Sequence, residues 1–456
     1  MIKNSTDMEK KTIIWIVILT AVVTTFTGSA LNLSIPDISS EFGISAGTVG
    51  WLVTGYTLAV AAFSVPFGRI ADITCRKTVL VTGIAIFVAC CIAAVFSVSV
   101  SMLIISRIIQ GIGAAMIFST NTAVLIDSFS QKRRGQMLGY SLAATYAGMS
   151  AGPAVGGFLN HHFGWRTVFV LTGILGAAAL AVSILRLPGK KAEYRAGSED
   201  IPGCIMYVIF IILMMYGLSE AGNGVLPYAI IVLGMITGII FVRHELRTCE
   251  PAVRVRMLKE NVGYAFSNLA AMMNYGATFA ISYLISIYLQ IIMGYTSQAA
   301  GIIMICQPAV IALFTPLAGK ASDRISPFKL ACAGMIICAA GTGIFIFIDQ
   351  GTSVFVIAAV LVISGIGISL FSSPNTNAVM SCVSKEDYGV ASSLLATMRA
   401  VGNTLSMVIV TVTVRQYVGA VSLMTAEPEE LMKVVSVSFI VFTAICAAGA
   451  IISLKR

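Results

Sequence analysis

Charged residues are scarce in this sequence. Only 11% of its 456 residues are Asp, Glu, Lys or Arg, whereas 57% are hydrophobic, and a soluble domain carries about a quarter charged residues. Long uncharged runs separate the few charges. This deficit excludes an ordinary water-soluble domain and predicts a chain that folds in the lipid bilayer.

The sequence also lacks the patterns that build metal, disulfide or nucleotide sites. Its ten cysteines include no Cys-x-x-Cys pair and lie mostly within apolar runs, and its three histidines form no cluster. No Gly-x4-Gly-Lys-Ser/Thr run is present, so ATP is not expected to be the energy source. We predict no cofactor, no metal site and no enzymatic activity.

Apolar runs divide the chain into fourteen segments of about 20 residues or more. Backbone groups in lipid must be satisfied within the chain, so we predict helices. The first run is longer than the apolar core of a signal peptide and is interpreted as an uncleaved span. A turn at 293–297 divides the longest uncharged stretch. The predicted spans are 12–35, 48–68, 78–97, 101–126, 136–158, 166–186, 201–220, 226–243, 263–290, 298–318, 329–348, 353–377, 389–414 and 434–453.

The basic residues predict the orientation of these spans. The net charge is +9, but it does not predict nucleic-acid binding, because most Lys and Arg occupy short loops on one side, as the positive-inside rule requires. This distribution predicts cytoplasmic N- and C-termini in the plasma (cytoplasmic) membrane. The exceptions are Arg166, Arg415 and Lys433 at outer ends and Arg107 and Arg399 within spans.

Three glycine patterns recur at nearly the same offset in the second half of the chain. Transporters are often built from such repeats. We predict two six-helix bundles, 1–187 and 263–456, joined by cytoplasmic loops and an inserted pair of helices in 188–262, with the substrate path between the bundles. The matching patterns are Gly68-x3-Asp72 and Gly319-x3-Asp323, Gly111-Ile-Gly113 and Gly365-Ile-Gly367, and Gly148 and Gly402.

The loop after the second span carries Gly68-x3-Asp72 followed by the basic pair Arg76-Lys77. A tight turn with positive-inside charges explains the basic pair but not Asp72. The segment resembles the loop motif of the major facilitator superfamily, although Cys75 stands where that family usually has glycine. The resemblance implies a major facilitator fold: an all-α polytopic membrane protein of two six-helix bundles plus two inserted helices.

The fourth span contains Arg107, Gln110 and Gly111 in an arrangement that resembles the arginine motif of the same family. An arginine inside a span costs several kcal/mol unless it faces protein or water. We therefore expect Arg107 to point toward a cavity or a partner. The alternative is an arginine that snorkels to the nearby outer end of the helix.

The fifth span carries a glycine-rich string with one proline. Such spacing also occurs in ordinary helix packing, because glycine lets helices approach closely. The whole string resembles the motif of the exporting, antiporter members of the superfamily. Together with the Asn32 to Asp37 segment and Trp51, it resembles the fourteen-helix drug:proton antiporter branch, which includes tetracycline, quaternary-ammonium and multidrug efflux pumps. The motif residues are Gly139, Gly148, Gly152, Pro153, Gly156 and Gly157.

This sequence departs from that branch at its acidic positions. Thr27, Met149 and Asn403 stand where relatives carry a carboxylate, and we find no acidic residue deep within a predicted span. Cationic cargo requires a buried negative charge, so tetracycline–metal chelates and lipophilic dications are not expected. The core arginines Arg107 and Arg399 instead predict neutral or anionic cargo.

Three groups of candidate site residues follow. Polar residues within spans and Met149 are candidates for a substrate cavity. Each of the polar residues could equally make an interhelical hydrogen bond, and the alternative for Met149 is ordinary lipid or core packing. The charged loop residues are candidates for gating, and Asp37 and Asp127 are candidates for carrying the proton. The cavity candidates are Asn32, Tyr56, Arg107, Gln110, Asn121, Met149, Asn274, Gln307, Asn375, Asn377, Arg399 and Asn403. The gating candidates are Gly68, Asp72, Arg76, Asp127 and Asp323.

The predicted function is secondary-active export across the membrane. The resemblance implies proton-coupled antiport of amphipathic drugs or metabolites by a monomer that alternates access between two sides. Two alternatives remain: a lipid or metabolite carrier of the same fold with different coupling, and a membrane sensor without transport. The expected partners are the bilayer, a small-molecule substrate and protons, with neither nucleic acid nor ATP.

Overall fold

The computed structural model describes residues 7–128, 141, 144–187, 200–221, 224–248, 251–322, 324–383, 388–419 and 421–454. Within these ranges the chain is almost entirely helical. The β contact found there is an isolated antiparallel bridge between Ser45 and Ser422. The all-helical architecture predicted from the apolar runs is therefore confirmed.

We number the long helices α1 to α14 in chain order. Helix α5 is described continuously from residue 144 and contains a π-helical turn, and α9 and α10 are each built from more than one segment. A short helix, Val255–Glu260, precedes α9. The bounds are Asp7–Phe42 (α1), Ala46–Ile73 (α2), Arg76–Val95 (α3), Val100–Ser128 (α4), Gly152–Gly156 and Gly157–Phe163 (the π-helical turn and last segment of α5), Arg166–Arg186 (α6), Ile201–Ser219 (α7), Leu226–Arg247 (α8), Val262–Thr278, Ile281–Ile287 and Tyr288–Ile292 (α9), Ser297–Met304 and Cys306–Ser322 (α10), Pro327–Ile344 (α11), Val354–Ser381 (α12), Tyr388–Tyr417 (α13) and Pro428–Leu454 (α14).

Thirteen helices in the described part of the chain are long and apolar enough to cross a membrane. Helix α5 is not among them. The predicted fifth span begins at residue 136, outside the described residues. The count of fourteen spans therefore stays a prediction.

Polar caps and glycine turns define the ends of several helices. Ser45, Asp200 and Thr296 begin α2, α7 and α10, and each side chain accepts a hydrogen bond from a backbone N–H of the first turn. Gly294 separates α9 from α10 with φ of 71°, a left-handed conformation that glycine adopts at little cost. The turn predicted at 293–297 is thus confirmed.

The two halves, α1–α6 and α9–α14, repeat the same close helix contacts. A Cβ added to Gly111 would lie 2.5 Å from the carbonyl oxygen of Tyr56, and one added to Gly365 would lie 2.8 Å from the carbonyl oxygen of Gln307. Such distances are too short for any side chain, so both glycines permit backbone-to-backbone packing of their helices.

The fifth helix of each half shows the same correspondence. A Cβ added to Gly148 would lie 2.6 Å from the carbonyl oxygen of Val22 in α1, and one added to Gly402 would lie 2.5 Å from that of Met272 in α9. The glycine repeat found in the sequence therefore corresponds to a repeat of helix packing.

Helices α7 and α8 form an inserted pair between the halves in the chain. Helix α7 packs against α2 and α13, and Tyr207 donates a hydrogen bond of 3.0 Å to the carbonyl oxygen of Ala61. Helix α8 packs on α7 and exposes most of its apolar side chains, among them Val232, Ile236 and Ile239. The pair thus lies at the periphery, with α8 outermost.

Candidate functional site

The two halves contact each other at one end of the molecule, which we call the Asp37 end because α1 ends and α2 begins there. Ala46 N donates to the carbonyl oxygen of Val421 at 2.9 Å, beside the Ser45 to Ser422 bridge. Deeper in the interface, Thr54 Oγ1 and Thr411 Oγ1 are 3.2 Å apart. These bonds hold α2 of the first half against the α13 region of the second.

The glycine–proline motif of α5 lies in this interface. Its π-helical turn spans Gly152–Gly156 and contains Pro153; proline removes a backbone donor, and such turns are common at functional sites. Gly157 approaches the carbonyl oxygen of Ser297, and Gly301 approaches that of Pro153, so closely that a Cβ on either glycine would collide. Helix α5 therefore meets α10 of the other half at backbone-to-backbone distance, and Ser297 Oγ also donates to the carbonyl oxygen of Gly157 at 3.3 Å.

The remaining described glycines of the motif face the first half. Gly152 packs on Ser29, and Gly156 on Ala30, both in α1. Ser29 Oγ also donates to the carbonyl oxygen of Met149 at 3.0 Å. The motif thus wedges α5 between α1 and α10. Gly139, the first motif residue, lies outside the described residues.

Arg107 is held entirely inside the first half. It is 1% exposed. Its Nε donates to the carbonyl oxygen of Leu52 at 3.1 Å, its Nη1 donates to Gln110 Oε1 at 2.5 Å, and its guanidinium lies 4.2 Å from the centre of the Tyr56 ring. Gln110 in turn donates to Cys91 Sγ at 3.0 Å. Of the two expected surroundings for Arg107, a cavity or a partner, the structure provides partners.

Arg399 has a different environment in α13. Its side chain is half-buried, Nη2 donates to Thr376 Oγ1 at 2.6 Å, and the guanidinium lies 5.4 Å from the centre of the Tyr275 ring. Its Nε is buried without a hydrogen-bond partner among the described residues. Tyr146 of α5 lies within electrostatic range and its hydroxyl bonds to Ser372 Oγ at 3.2 Å. One arginine donor and two tyrosine rings therefore meet where the halves face each other.

Most predicted amides bond to a neighbouring helix of their own half. Asn121 Nδ2 donates to Thr20 Oγ1 at 3.1 Å, and Asn375 Nδ2 donates to the carbonyl oxygen of Ser267 at 3.2 Å. Asn274 points at Met335 Sδ and Cys338 Sγ inside the second half, and Asn377 donates to Ser322 Oγ at 2.7 Å. For these four residues the structure has the interhelical contact that was the alternative to a cavity.

Other candidates keep a buried polar atom without a partner among the described residues. These atoms are Asn32 Oδ1, Tyr56 Oη, Gln307 Nε2 and Asn403 Oδ1. Asn32 also lies at the contact between halves, because its carbonyl oxygen accepts from Ser286 Oγ at 2.7 Å. Met149 is half-buried and packs on the core shared by the two halves. The twelve cavity candidates therefore do not converge on one site.

Asp37 lies in a cleft of about 220 Å³ between the halves. Its carboxylate is exposed and accepts a hydrogen bond from Asn160 Nδ2. The cleft is lined on the other side by Gln290, Tyr295 and Ser297 of the second half. A titratable carboxylate thus stands at the mouth of the contact between α1, α5 and α10.

The predicted gating residues are described in part. Gly68 faces Ser119 of α4, and Arg76 Nη1 donates to the carbonyl oxygen of Ala123 at 3.3 Å. The side chains of Asp72 and Asp127, and Asp323 as a whole, lie outside the described residues. The charge cluster stays a prediction.

Sequence reasoning missed two ion pairs at the Asp37 end. Arg415 Nη1 pairs with Glu220 Oε2 at 2.8 Å, and Trp51 Nε1 donates to Glu220 Oε1 at 3.2 Å, so the carboxylate joins α2, α7 and α13. Arg166 Nη2 pairs with Glu41 Oε1 at 2.7 Å within the first half. Both arginines are exceptions to the positive-inside distribution, because they lie at outer ends of spans. A basic residue in such a place was a signal in the sequence that a carboxylate lies close to it.

Sequence reasoning also missed a buried carboxyl group. Glu245 lies beyond the predicted span 226–243, but in the structure it belongs to the last turn of α8 and is 2% exposed. Asp200, which begins α7, is 5% exposed and lies beside it. The pattern Asp200-x-x-Gly203, typical of a helix start, was the available signal for one member of this pair.

The described part of the chain is a bundle of membrane-length helices in which close glycine contacts of α1–α6 recur in α9–α14. The sequence model of the Major Facilitator Superfamily matches residues 17–242 and 267–456. The chain therefore belongs to this family, as its glycine and arginine motifs predicted.

Similar proteins include a riboflavin transporter and drug resistance proteins. The riboflavin transporter RibZ of Clostridioides difficile is 29% identical over 395 residues, covering 86% of each chain. The multidrug resistance protein Stp of Mycobacterium tuberculosis is 25% identical over 384 residues, covering 83% of this chain and 71% of Stp. The methylenomycin A resistance protein of Bacillus subtilis is 25% identical over 418 residues, covering 90% and 88%.

Solved structures share the fold. A bacterial homologue of the human lysosomal transporter Spinster, inward-facing and unoccupied, superposes with a TM-score of 0.73 over 99% of this chain and 97% of its own, at 15% identity. A peptide transporter POT in complex with alafosfalin gives a TM-score of 0.70 over 97% and 93%, at 14% identity.

Proposed function

We propose that this transporter is a secondary-active exporter that exchanges protons for neutral or anionic amphipathic molecules. The observation that carries the proposal is the contact of α5 with α10, where Pro153 and Gly157 pack backbone to backbone against the other half. Glycine lets the two helices approach this closely, and a contact so tightly packed leaves little room for gradual adjustment. Export by alternating access needs a seal of this kind on one side.

The conformation fits one stage of such a cycle. The halves are bonded at the Asp37 end through α2 and α13 and through α1 and α9. With cytoplasmic termini, as the basic residues predict, this end is the outer side. The cycle would then open it by rocking 1–187 against 263–456, with the Gly68, Asp72, Arg76, Asp127 and Asp323 cluster closing the inner side in turn.

The cargo would lie against Arg399, Tyr275 and Tyr146. An arginine with a free donor recognises a carbonyl, phosphate or carboxylate oxygen, and tyrosine rings stack on planar ligands. Among the described residues, no carboxylate hydrogen-bonds or pairs with Arg399. The relative named as a riboflavin transporter suggests a planar, uncharged aromatic molecule as the first cargo to test.

Asp37 is the proposed carrier of the exchanged proton. It is exposed in a cleft at the contact between halves. Opening and closing this contact would change its access to solvent, and such a change of access is what a proton carrier needs. Asp127, whose side chain lies outside the described residues, is the second candidate.

The experiment is uptake of riboflavin into proteoliposomes under an imposed pH gradient. We expect uptake to follow the gradient in the wild type and to lose this dependence in Asp37→Asn. The matched control is Glu429→Gln, which removes an exposed carboxylate in the first turn of α14 and should leave coupling unchanged.

Three results would oppose parts of the proposal. Full coupling in Asp37→Asn removes Asp37 as the carrier. Uptake that ignores the gradient in the wild type favours a lipid or metabolite carrier of the same fold with different coupling. Efficient transport of methyl viologen, a dication for which another relative is named as a resistance protein, contradicts the neutral or anionic cargo.

A further inference from the structure

Three segments meet at the end of the molecule opposite Asp37, around two carboxyl groups. Asp200 Oδ1 accepts hydrogen bonds from Gly203 N at 2.9 Å and from His244 Nε2 at 2.6 Å, and its Oδ2 accepts from Ala252 N at 3.2 Å. Glu245 Oε2 accepts from Val253 N at 2.8 Å. The start of α7, the end of α8 and the segment 251–254 are thereby joined.

The two carboxyl groups share a space without room for solvent. Asp200 is 5% exposed and Glu245 is 2% exposed. A Cβ added to Gly203 would collide with both Asp200 Oδ2 and Glu245 Oε1, so these two oxygens face the same narrow gap. With both groups ionised, Glu245 Oε1 is buried without a hydrogen-bond partner among the described residues.

Two buried carboxylates so close together repel each other, and protonation of one converts the repulsion into a hydrogen bond. We propose that Asp200 and Glu245 form a proton-binding site. One exchangeable proton is bound to Glu245 Oε1, which then donates a hydrogen bond to Asp200 Oδ2. The proton thereby fastens the segment 251–254 to the ends of α7 and α8.

The donors around Asp200 favour its ionised form. Burial alone would raise the pKa of Asp200. Its hydrogen bonds outweigh burial and hold this pKa below its ordinary value. The donors are the His244 side chain, the Glu245 carboxyl group and the N–H groups of Gly203 and Ala252. Asp200 therefore accepts, and Glu245 is the group that gains or loses the proton.

The other charged and titratable neighbours are cationic or neutral. His244 bonds to Asp200, and the thiol of Cys204 lies within electrostatic range of both carboxyl groups and of Arg69 from α2. Arg243 and Arg247 of α8 are exposed. Arg254, the last residue of the fastened segment, has contacts of its own. Among the described residues none of these groups hydrogen-bonds to Glu245 Oε1, which keeps its place for a proton.

The segment 251–254 leads into the short helix Val255–Glu260 and then into α9, the first helix of the second half. Loss of the proton at rising pH leaves two like charges in contact. The inserted pair then holds the second half less firmly, and gain of the proton restores the attachment. The site goes beyond the exporter proposal, because it requires neither cargo nor the Asp37 end.

The test is hydrogen exchange of the Ala252 and Val253 amides in the full-length protein in lipid nanodiscs. Protection, corrected for the intrinsic exchange rate at each pH, should fall at least about tenfold from pH 6 to pH 9 in the wild type. Glu245→Gln keeps a donor toward Asp200 and should remain protected across the range. Glu260→Gln, an exposed carboxylate of the short helix, should follow the wild type.

Equal pH dependence in Glu245→Gln and the wild type, or a flat wild-type profile, overturns the proposal. Infrared spectroscopy gives a second reading that does not require a folded variant. The wild type should show a protonated-carboxyl band at a pH at which exposed carboxyl groups are ionised, and the band should titrate away at higher pH. Its absence also overturns the proposal. Neither measurement involves transport, so failure here leaves the exporter proposal standing.

Discussion

The two halves each place an arginine inside a span, and the two arginines differ in how they are held. Arg107 is 1% exposed, and its contacts lie within the first half. Arg399 is half-buried, keeps one nitrogen without a partner among the described residues, and lies near Tyr146 of the opposite half. The first arginine is satisfied within its own half, whereas the second keeps a donor nitrogen unpaired among the described residues.

The glycine repeat allows the positions of the two arginines to be compared between the halves. Three residues before Gly402 stands Arg399, and three residues before the matching Gly148 stands Thr145. Four residues before Gly111 stands Arg107, and four residues before the matching Gly365 is a leucine. Helix packing is thus repeated while charge is not. On a scaffold of similar halves, the unmatched polar residues are therefore the candidates for function.

Replacing each arginine by glutamine should separate the two roles most widely. Arg107→Gln leaves Gln110, Tyr56 and the Leu52 carbonyl without their cation, and should lower the free energy of unfolding by about 3 kcal/mol. Arg399→Gln should lower it by less than about 1 kcal/mol, because glutamine can still donate to Thr376 Oγ1 and a half-buried cation–π contact with Tyr275 contributes little. Thermal unfolding in detergent measures both, and equal losses would contradict the comparison.

The contact between the halves should respond strongly to a single methyl group. Gly157→Ala forces a Cβ onto the Ser297 carbonyl and should disfavour the closed Asp37 end by about 2 kcal/mol. Gly28→Ala in α1 is the control, since nothing lies within 4 Å of its Cβ position. Spin labels at the exposed residues Ser40 and Glu427 measure the distance between the two halves at this end by electron paramagnetic resonance. Unchanged distances in Gly157→Ala would argue against a glycine-dependent seal.

Breaking each of the two ion pairs at the Asp37 end should change the contact between the halves to a different extent, because one pair joins the halves and the other lies within the first half. Glu220→Gln breaks a pair whose side chains are only 17% and 18% exposed and which joins both halves. The distance between the same spin labels should therefore lengthen, because closure of the Asp37 end is weakened by about 1.5 kcal/mol. Glu41→Gln breaks a pair that is 36% and 42% exposed within the first half, and it should change the distance little. The reverse order would mean that Glu220 does not bridge the halves.

Two tyrosine hydroxyls provide the smallest expected effects. Tyr146→Phe removes the hydrogen bond to Ser372 in the other half and should weaken closure by about 1 kcal/mol. Tyr56→Phe removes a buried hydroxyl that has no partner among the described residues, and it should be neutral or slightly stabilising. Calorimetry and the label distance together separate the two changes. A larger loss for Tyr56→Phe would show that its hydroxyl is bonded after all.

The sequence predicted the helices, the turn at Gly294 and the glycine repeat, because each depends on residues close together in the chain or on absent side chains. It did not predict which polar groups meet. Asn121 and Asn375 find partners on neighbouring helices, and Glu245 is buried only because residues 251–253 fold back over the end of α8. Such contacts depend on helix rotation, which hydropathy does not specify.

The central claim is that the second half recognises the cargo through Arg399, and equilibrium binding to the purified protein tests it directly. We predict that riboflavin binds the wild type. Arg399→Gln should weaken this binding at least about tenfold, or about 1.4 kcal/mol, while its free energy of unfolding falls by less than about 1 kcal/mol. Methyl viologen should bind neither protein tightly. Undiminished riboflavin binding by Arg399→Gln, or tight binding of methyl viologen by the wild type, would contradict the account.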